Sequence, residues 1–144
     1  MKEKLNTILL VDDDEPTNYL NKIILEEVGC AERIEVAQSA KEAINYLTGT
    51  GKYDQKGKTI PPPELIFLDI NMPAMDGWEF IDIYKELQKR GKVVMVMLTT
   101  SLNPEDEERS KMIAEVSGYR NKPLTKEMVT EIIANYFRNN KSDN

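Results

Sequence analysis

The chain has 144 residues, 40% of them hydrophobic and 31% charged, with a formal net charge of −6. That length suits one domain around one core, and the negative balance argues against a general binder of nucleic-acid phosphates or anionic lipid. The single cysteine, Cys30, excludes an intrachain disulfide and fits a reducing compartment, while the lack of any histidine excludes a Ser-His-Asp triad, a histidine metal site and a phosphohistidine carrier.

The N-terminal MKEKLNTILLV carries lysines, but its apolar run is too short for a signal peptide and charge follows at once. No run approaches the ~18–20 apolar residues of a membrane span, so a cytoplasmic protein without a membrane association is expected. TILLV (7–11) then predicts a first strand. TNYLNKIILEEV (17–28) predicts a helix with Leu20, Ile23, Ile24 and Val28 on its inner face. RIEVA, ending at Ala37, predicts a shorter strand, and Ser39-Ala-Lys-Glu42 reads as a capping box opening a helix through Leu47.

Residues 48–63, TGTGKYDQKGKTIPPP, are rich in glycine, lysine and proline, and longer than most connections. They predict a mobile surface loop. Its Gly57-Lys58-Thr59 invites comparison with a phosphate-binding P-loop, but Gly51 lies one residue too far away and Lys52 stands where a glycine is needed.

ELIFLDI (64–70) and VVMVML (93–98) are continuous branched runs, as strands buried on both faces should be. Between them Gly77 to about Arg90 places Phe80, Ile81, Tyr84 and Leu87 at helical spacing, with Asp76 read as turn and cap chemistry and Trp78 as a helix-start anchor. Asn103-Pro104 predicts an N-cap followed by proline at the first helical position, with acids in the first turn. A short fifth strand is expected at Gly118–Asn121. A last helix capped by Thr125 should turn Met128, Val129, Ile132, Ile133 and Tyr136 inward. Residues 139–144 read as a frayed tail, which leaves a single domain over 1–144 with its core at about 6–138. Five strand–helix repeats predict a doubly wound α/β sheet.

In such sheets the C-terminal strand ends line the ligand crevice. Here those ends carry Asp12-Asp13, Asp69, Thr99-Thr100-Ser101 and Lys122-Pro123. Like charges gathered in one place repel unless a cation sits among them. Clustered carboxylate oxygens are hard ligands that suit Mg²⁺, an ion that often takes phosphate oxygens as well. A carboxylate such as Asp69 can also act as a covalent nucleophile toward phosphorus, with Thr99 and Lys122 available to the phosphoryl oxygens. Asp14 reads instead as a helix N-cap, and Met95, Met97 and Cys30 as packing.

The segments ILLVDDD, FLDINMPAMDGWEF, VMLTTS and GYRNKPLT, in that order and at strand ends, resemble the receiver domain of two-component response regulators over nearly the whole chain. The resemblance implies a flavodoxin-like (βα)5 fold with strand order 2-1-3-4-5. It implies Mg²⁺, with Mn²⁺ able to substitute, at Asp12, Asp13, Asp69 and the Asn71 backbone carbonyl. It makes Asp69 the phosphoacceptor, Thr99 the switch hydroxyl, Lys122 the phosphate-contacting lysine and Tyr119 the switch aromatic. Asn71 and Ser101 fall at positions that tune phosphoryl lifetime, and Lys122-Pro123 at a cis peptide. The donor would be a histidine kinase or a histidine phosphotransfer protein, and the output a downstream protein or a homodimer. Because the sequence stops after the last helix, a stand-alone receiver is expected rather than an enzyme. Two rivals follow from the same residues. An aspartate-nucleophile phosphohydrolase of the haloacid dehalogenase type usually needs a second acid two residues after the nucleophile, where Asn71 stands. An interaction module that is never phosphorylated usually lacks the acceptor, an acid or the lysine, and all are present.

Overall fold

A computed structural model describes residues 4–54, 61–87 and 92–138. Five strands, β1 (Leu5–Val11), β2 (Ala31–Ala37), β3 (Leu65–Leu68), β4 (Val94–Thr99) and β5 (Gly118–Asn121), alternate with α1 (Glu15–Val28), α2 (Ala40–Thr48), α3 (Gly77–Glu86), α4 (Pro104–Lys111) and α5 (Lys126–Ile133). All strand pairs are parallel and the order is β2-β1-β3-β4-β5, as expected of the doubly wound fold.

The continuous apolar runs have a direct explanation in the pleat, which sends alternate side chains to opposite faces. Leu9 and Val11 of β1, Ile66 and Leu68 of β3, and Met95 and Met97 of β4 join one core, together with Phe80, Ile81 and Tyr84 of α3 and Ala43 and Tyr46 of α2. Ile8 and Leu10, Leu65 and Phe67, and Val94, Val96 and Leu98 join the other, with Leu25 of α1 and Val129, Ile132 and Ile133 of α5. Both faces of the central strands are therefore covered, which is why residues 8–11, 65–68 and 94–98 are apolar without a break.

Helix α1 departs from expectation. Its buried residues are Asn18, Asn21 and Leu25, while Leu20 is 59% exposed and Ile23, Ile24 and Val28 are half-buried. The inner stripe runs through positions 18, 21 and 25, a valid helical spacing, but two asparagines occupy it and disguise it as surface.

Caps fix all five helices. Asp14, Ser39, Asp76, Asn103 and Thr125 each accept a backbone hydrogen bond from the first turn. The reciprocal capping box expected at Ser39 is only half formed, because the Glu42 carboxylate accepts from the Gln38 amide rather than from Ser39. The complete box is Asp76 with Glu79. Helix α3 is described to Glu86 with Leu87 as its cap, so its expected extension over 88–90 lies outside the described residues. Beyond α5 the helix widens to π geometry over Ala134–Arg138, and the Tyr136 hydroxyl donates to the Ser117 carbonyl at 2.7 Å.

Of the connection expected over 48–63, Thr48 ends α2, Gly49 caps it in the left-handed region and Gly51–Tyr53 form a 3₁₀ turn. Tyr53 meets Tyr46 edge to face at 5.1 Å, and Lys52 pairs with Glu42. Residues 55–60, including the glycine–lysine–threonine decoy, and the tail at 139–144 lie outside the described residues.

Candidate functional site

Register brings the acids together. Val11 lies opposite Leu68 in the β1–β3 pair, so the next residues, Asp12 and Asp69, emerge side by side. The Asp69 amide donates to the Val11 carbonyl at 3.0 Å, and the Asp12 amide to the Ala37 carbonyl at 3.1 Å. Asp12 and Asp69 are buried and Asp13 is exposed, yet one carboxylate oxygen from each lies within 4.8 Å of the others. An all-oxygen set carrying three negative charges fits a hard divalent cation such as Mg²⁺ and does not fit a soft metal.

Lys122 answers part of that charge. Its ammonium donates to Asp12 Oδ2 at 2.6 Å and sits 3.6 Å from Asp69 Oδ1. Burial would discharge it, but the hydrogen bond and charge of Asp12, with those of Asp69, outweigh burial and raise its pKa. Asp69 has the opposite problem. Burial first, and then the charge of Asp12, push its carboxyl up to about 6, with Lys122 pulling the other way. Asp12 is tied at every polar group: its amide to Ala37, its Oδ1 to the Asp14 amide at 2.9 Å, its Oδ2 to Lys122 and its carbonyl to Asn18 Nδ2 at 2.8 Å.

The loop after Asp69 packs tightly onto α3. The Gly77 amide donates to the Ile70 carbonyl at 2.8 Å, and a Cβ at position 77 would stand 2.6 Å from the Asp69 carbonyl oxygen. Only glycine lets the helix start so close to the acidic strand end. Within that loop Ala74 holds a φ of 69°, a left-handed conformation uncommon for a side-chain-bearing residue. Asn71 is exposed at the mouth.

Across the crevice, Thr99 is fully buried, and its Oγ1 accepts from the Ser101 amide at 3.1 Å. Ser101 is a junction. Its hydroxyl bonds the Asp106 carboxylate in the first turn of α4, while its carbonyl accepts from Asn121 Nδ2 at 2.9 Å and from the half-buried Tyr119 hydroxyl at 3.4 Å. The Lys122 amide donates to the Thr99 carbonyl at 2.9 Å, joining β5 to β4 beside the site, and Lys122-Pro123 is cis. Helix α4 also touches α3, where the Arg109 guanidinium lies 4.4 Å over the ring of the buried Trp78.

The residues expected from the sequence thus converge in two groups. Asp12, Asp13, Asp69 and Lys122 form one cluster, while Thr99, Ser101 and Tyr119 form a second, linked to it through Lys122. Sequence reasoning missed Asn18, Asn121 and Asp106. Asp106 carried a signal, since an acid five residues after Ser101 on a capped first turn can reach back. The two asparagines carried none.

Comparison with known proteins identifies the chain's relatives. Residues 8–134 match the model of the response regulator receiver domain. The chain is 31% identical over 127 residues to the chemotaxis protein CheY of Halobacterium salinarum, covering 88% of this chain and 92% of that one. A two-component response regulator of Cytophaga hutchinsonii superposes with a TM-score of 0.78 at 32% identity, covering 92% of this chain and 96% of that chain. The Mn²⁺-bound form of response regulator Rcp1 superposes with a TM-score of 0.69 at 25% identity, over 92% of this chain and 94% of that chain.

Proposed function

The chain belongs to the response regulator receiver family of two-component signalling, and from that premise we propose that Asp69 accepts a phosphoryl group and that Thr99 and Tyr119 convert its arrival into a changed partner surface. The observation that carries this is the buried Asp69 carboxylate, with Asp12 and Asp13 at one side and the Lys122 ammonium 3.6 Å away.

In the proposed transfer, a phosphohistidine on a histidine kinase or phosphotransfer protein enters the crevice. An Asp69 carboxylate oxygen attacks phosphorus, the P–N bond breaks, and its electron pair leaves on the imidazole nitrogen. Asp12, Asp13, Asp69 and the Asn71 carbonyl would hold Mg²⁺ or Mn²⁺, which when bound offsets negative charge on the carboxylates and the phosphoryl oxygens. Lys122 is near enough to exchange its Asp69 contact for a phosphoryl oxygen. Thr99 would turn its hydroxyl to another, giving up the Ser101 amide as its donor. Tyr119, bonded to the Ser101 carbonyl, would follow that segment inward, so that the α4–β5 surface changes. Asn71 and Ser101 flank the site and would set how long the phosphoryl group survives. The product is a switch in the cytoplasm that binds a downstream protein or a second copy, with slow loss of phosphate rather than turnover of a substrate.

Intact mass after incubation with Mg²⁺ and acetyl phosphate is the test. A phosphoryl-sized gain is expected that needs both the metal and Asp69 and is lost in Asp69→Ala. A gain that survives in Asp69→Ala, or no gain together with no response to beryllofluoride, would overturn the assignment.

A further inference from the structure

Beneath the acid cluster, between α1 and the sheet, lies a small pocket with room for about one water molecule. It is lined by Leu10, Val11, Phe67 and Leu98, and by four polar residues: Asp12, Asn18, Asn21 and Asp69. Asn18 is 2% exposed. Its Nδ2 donates to the Asp12 carbonyl, an acceptor only, which fixes the orientation of the amide: the flipped form would set two oxygens against each other. Its Oδ1 is then buried without a protein partner. A buried amide oxygen left unsatisfied costs roughly as much as a lost hydrogen bond, and the second buried asparagine, Asn21, lines the same space.

We infer that the pocket is a site for one ordered water, and that Asn18 is a positioning residue for the acid cluster, acting through its bond to Asp12 and through that water on Asp69. The chemistry of the lining fits three hydrogen bonds: the water donates to Asn18 Oδ1 and to an Asp69 carboxylate oxygen, and accepts from the Asn21 amide. Two ligands that the cluster would offer a divalent ion are thereby held from below by one side chain of α1. Outer-shell partners of metal-ligating carboxylates typically change metal affinity roughly 10- to 100-fold when removed. The inference rests on the reading of Asp12 and Asp69 as ligands, but the water itself does not.

The wild-type protein comes first. A crystal structure at high resolution, with or without Mg²⁺, should show a water within hydrogen-bond distance of Asn18 Oδ1, and a dry pocket would end the proposal. Mn²⁺ affinity is then measured by paramagnetic resonance on wild type, Asn18→Leu and Asn18→Ser. Leucine fills the space without hydrogen bonding and should weaken binding roughly tenfold or more. Serine leaves a hydroxyl with room for added water and should recover most of the loss at similar thermal stability. Equal affinity in wild type and Asn18→Leu would refute the positioning role. If Asn18→Leu does not fold, Asn18→Ala takes its place, and a wild-type-like affinity there would refute the role equally. A wild type that binds Mn²⁺ and shows the water but takes no phosphoryl group would count against the acceptor role of Asp69 and leave this inference standing.

Discussion

The two sides of the crevice are held by different means. On the acid side, β1 and β3 are buried on both faces, Asp12 is tied at every polar group and α3 begins against the Asp69 carbonyl. On the other side, the segment after β4 runs into α4, an eight-residue helix whose only buried residue is Ser110. Its neighbours Leu102 and Met112 are largely exposed. Polar ties do most of the holding there: Ser101 to Asp106, Asn121 to Ser101, and Arg109 over Trp78. The acid cluster sits on packed strands, and the part that the proposed switch would move is fastened by bonds that exchange readily with water. Segments with few buried apolar contacts open at low free-energy cost.

The largest effects should fall on the packed side. Phe80 is fully buried between α3 and the sheet, so Phe80→Ala should cost about 3–5 kcal/mol of unfolding free energy in urea titrations. In the same assay Met112→Ser should stay within about 0.5 kcal/mol. Comparable losses at the two positions would break the comparison.

The acid side also carries the cost of a buried carboxylate, added to by the charge of Asp12, and pH should expose it. The Asp69 carboxyl titrates near about 6 in the folded chain against 3.8 as its ordinary value, so the folded state binds more protons than the unfolded state between those limits. In metal-free buffer, stability should therefore fall as pH rises from about 4 to about 6, by roughly 2–3 kcal/mol, and stay low above that. Asp69→Asn should flatten this segment of the profile and be the more stable protein at pH 7 without Mg²⁺. Stability that rises through the same window in wild type would contradict the assignment of strain to Asp69.

On the polar-tied side the expected effect is smaller. Removing the cation–π contact with Arg109→Ala should cost about 0.5–1 kcal/mol. It should speed amide hydrogen exchange in α4 while leaving β1 and β3 unchanged. Faster exchange spread evenly over both sides would mean that α4 is part of the packed body after all.

Much of this was legible because the informative residues are the ones that interrupt a pattern. Asp12, Asp69 and Thr99 each stand where an apolar strand stops, Lys122 stands just past the short fifth strand, and parallel register does the rest. The inner face of α1 was not legible. Its stripe contains Asn18 and Asn21, and an amide buried for the sake of a carbonyl six residues back looks in the sequence like a surface amide. Leu20, which hydrophobicity sends inward, borders instead an apolar groove with Ile23, Ile24, Pro123 and Leu124. Asn121 escaped for a similar reason: its partner Ser101 is twenty residues away, and only the pairing of β4 with β5 brings the two together. Periodicity reports which side of a helix is greasy; it does not report which polar group the fold needs inside.

The indole under Arg109 has one more consequence. Trp78 is the chain's single tryptophan, it opens the helix pressed against the Asp69–Ile70 backbone, and a guanidinium from α4 lies over its face. A positive charge held above an indole shifts its emission, so a change in the Arg109 contact would change the colour of that emission. The fold thus carries its own optical gauge, placed between the acidic strand end and the helix that the proposed switch would shift, and readable in solution without attaching a dye.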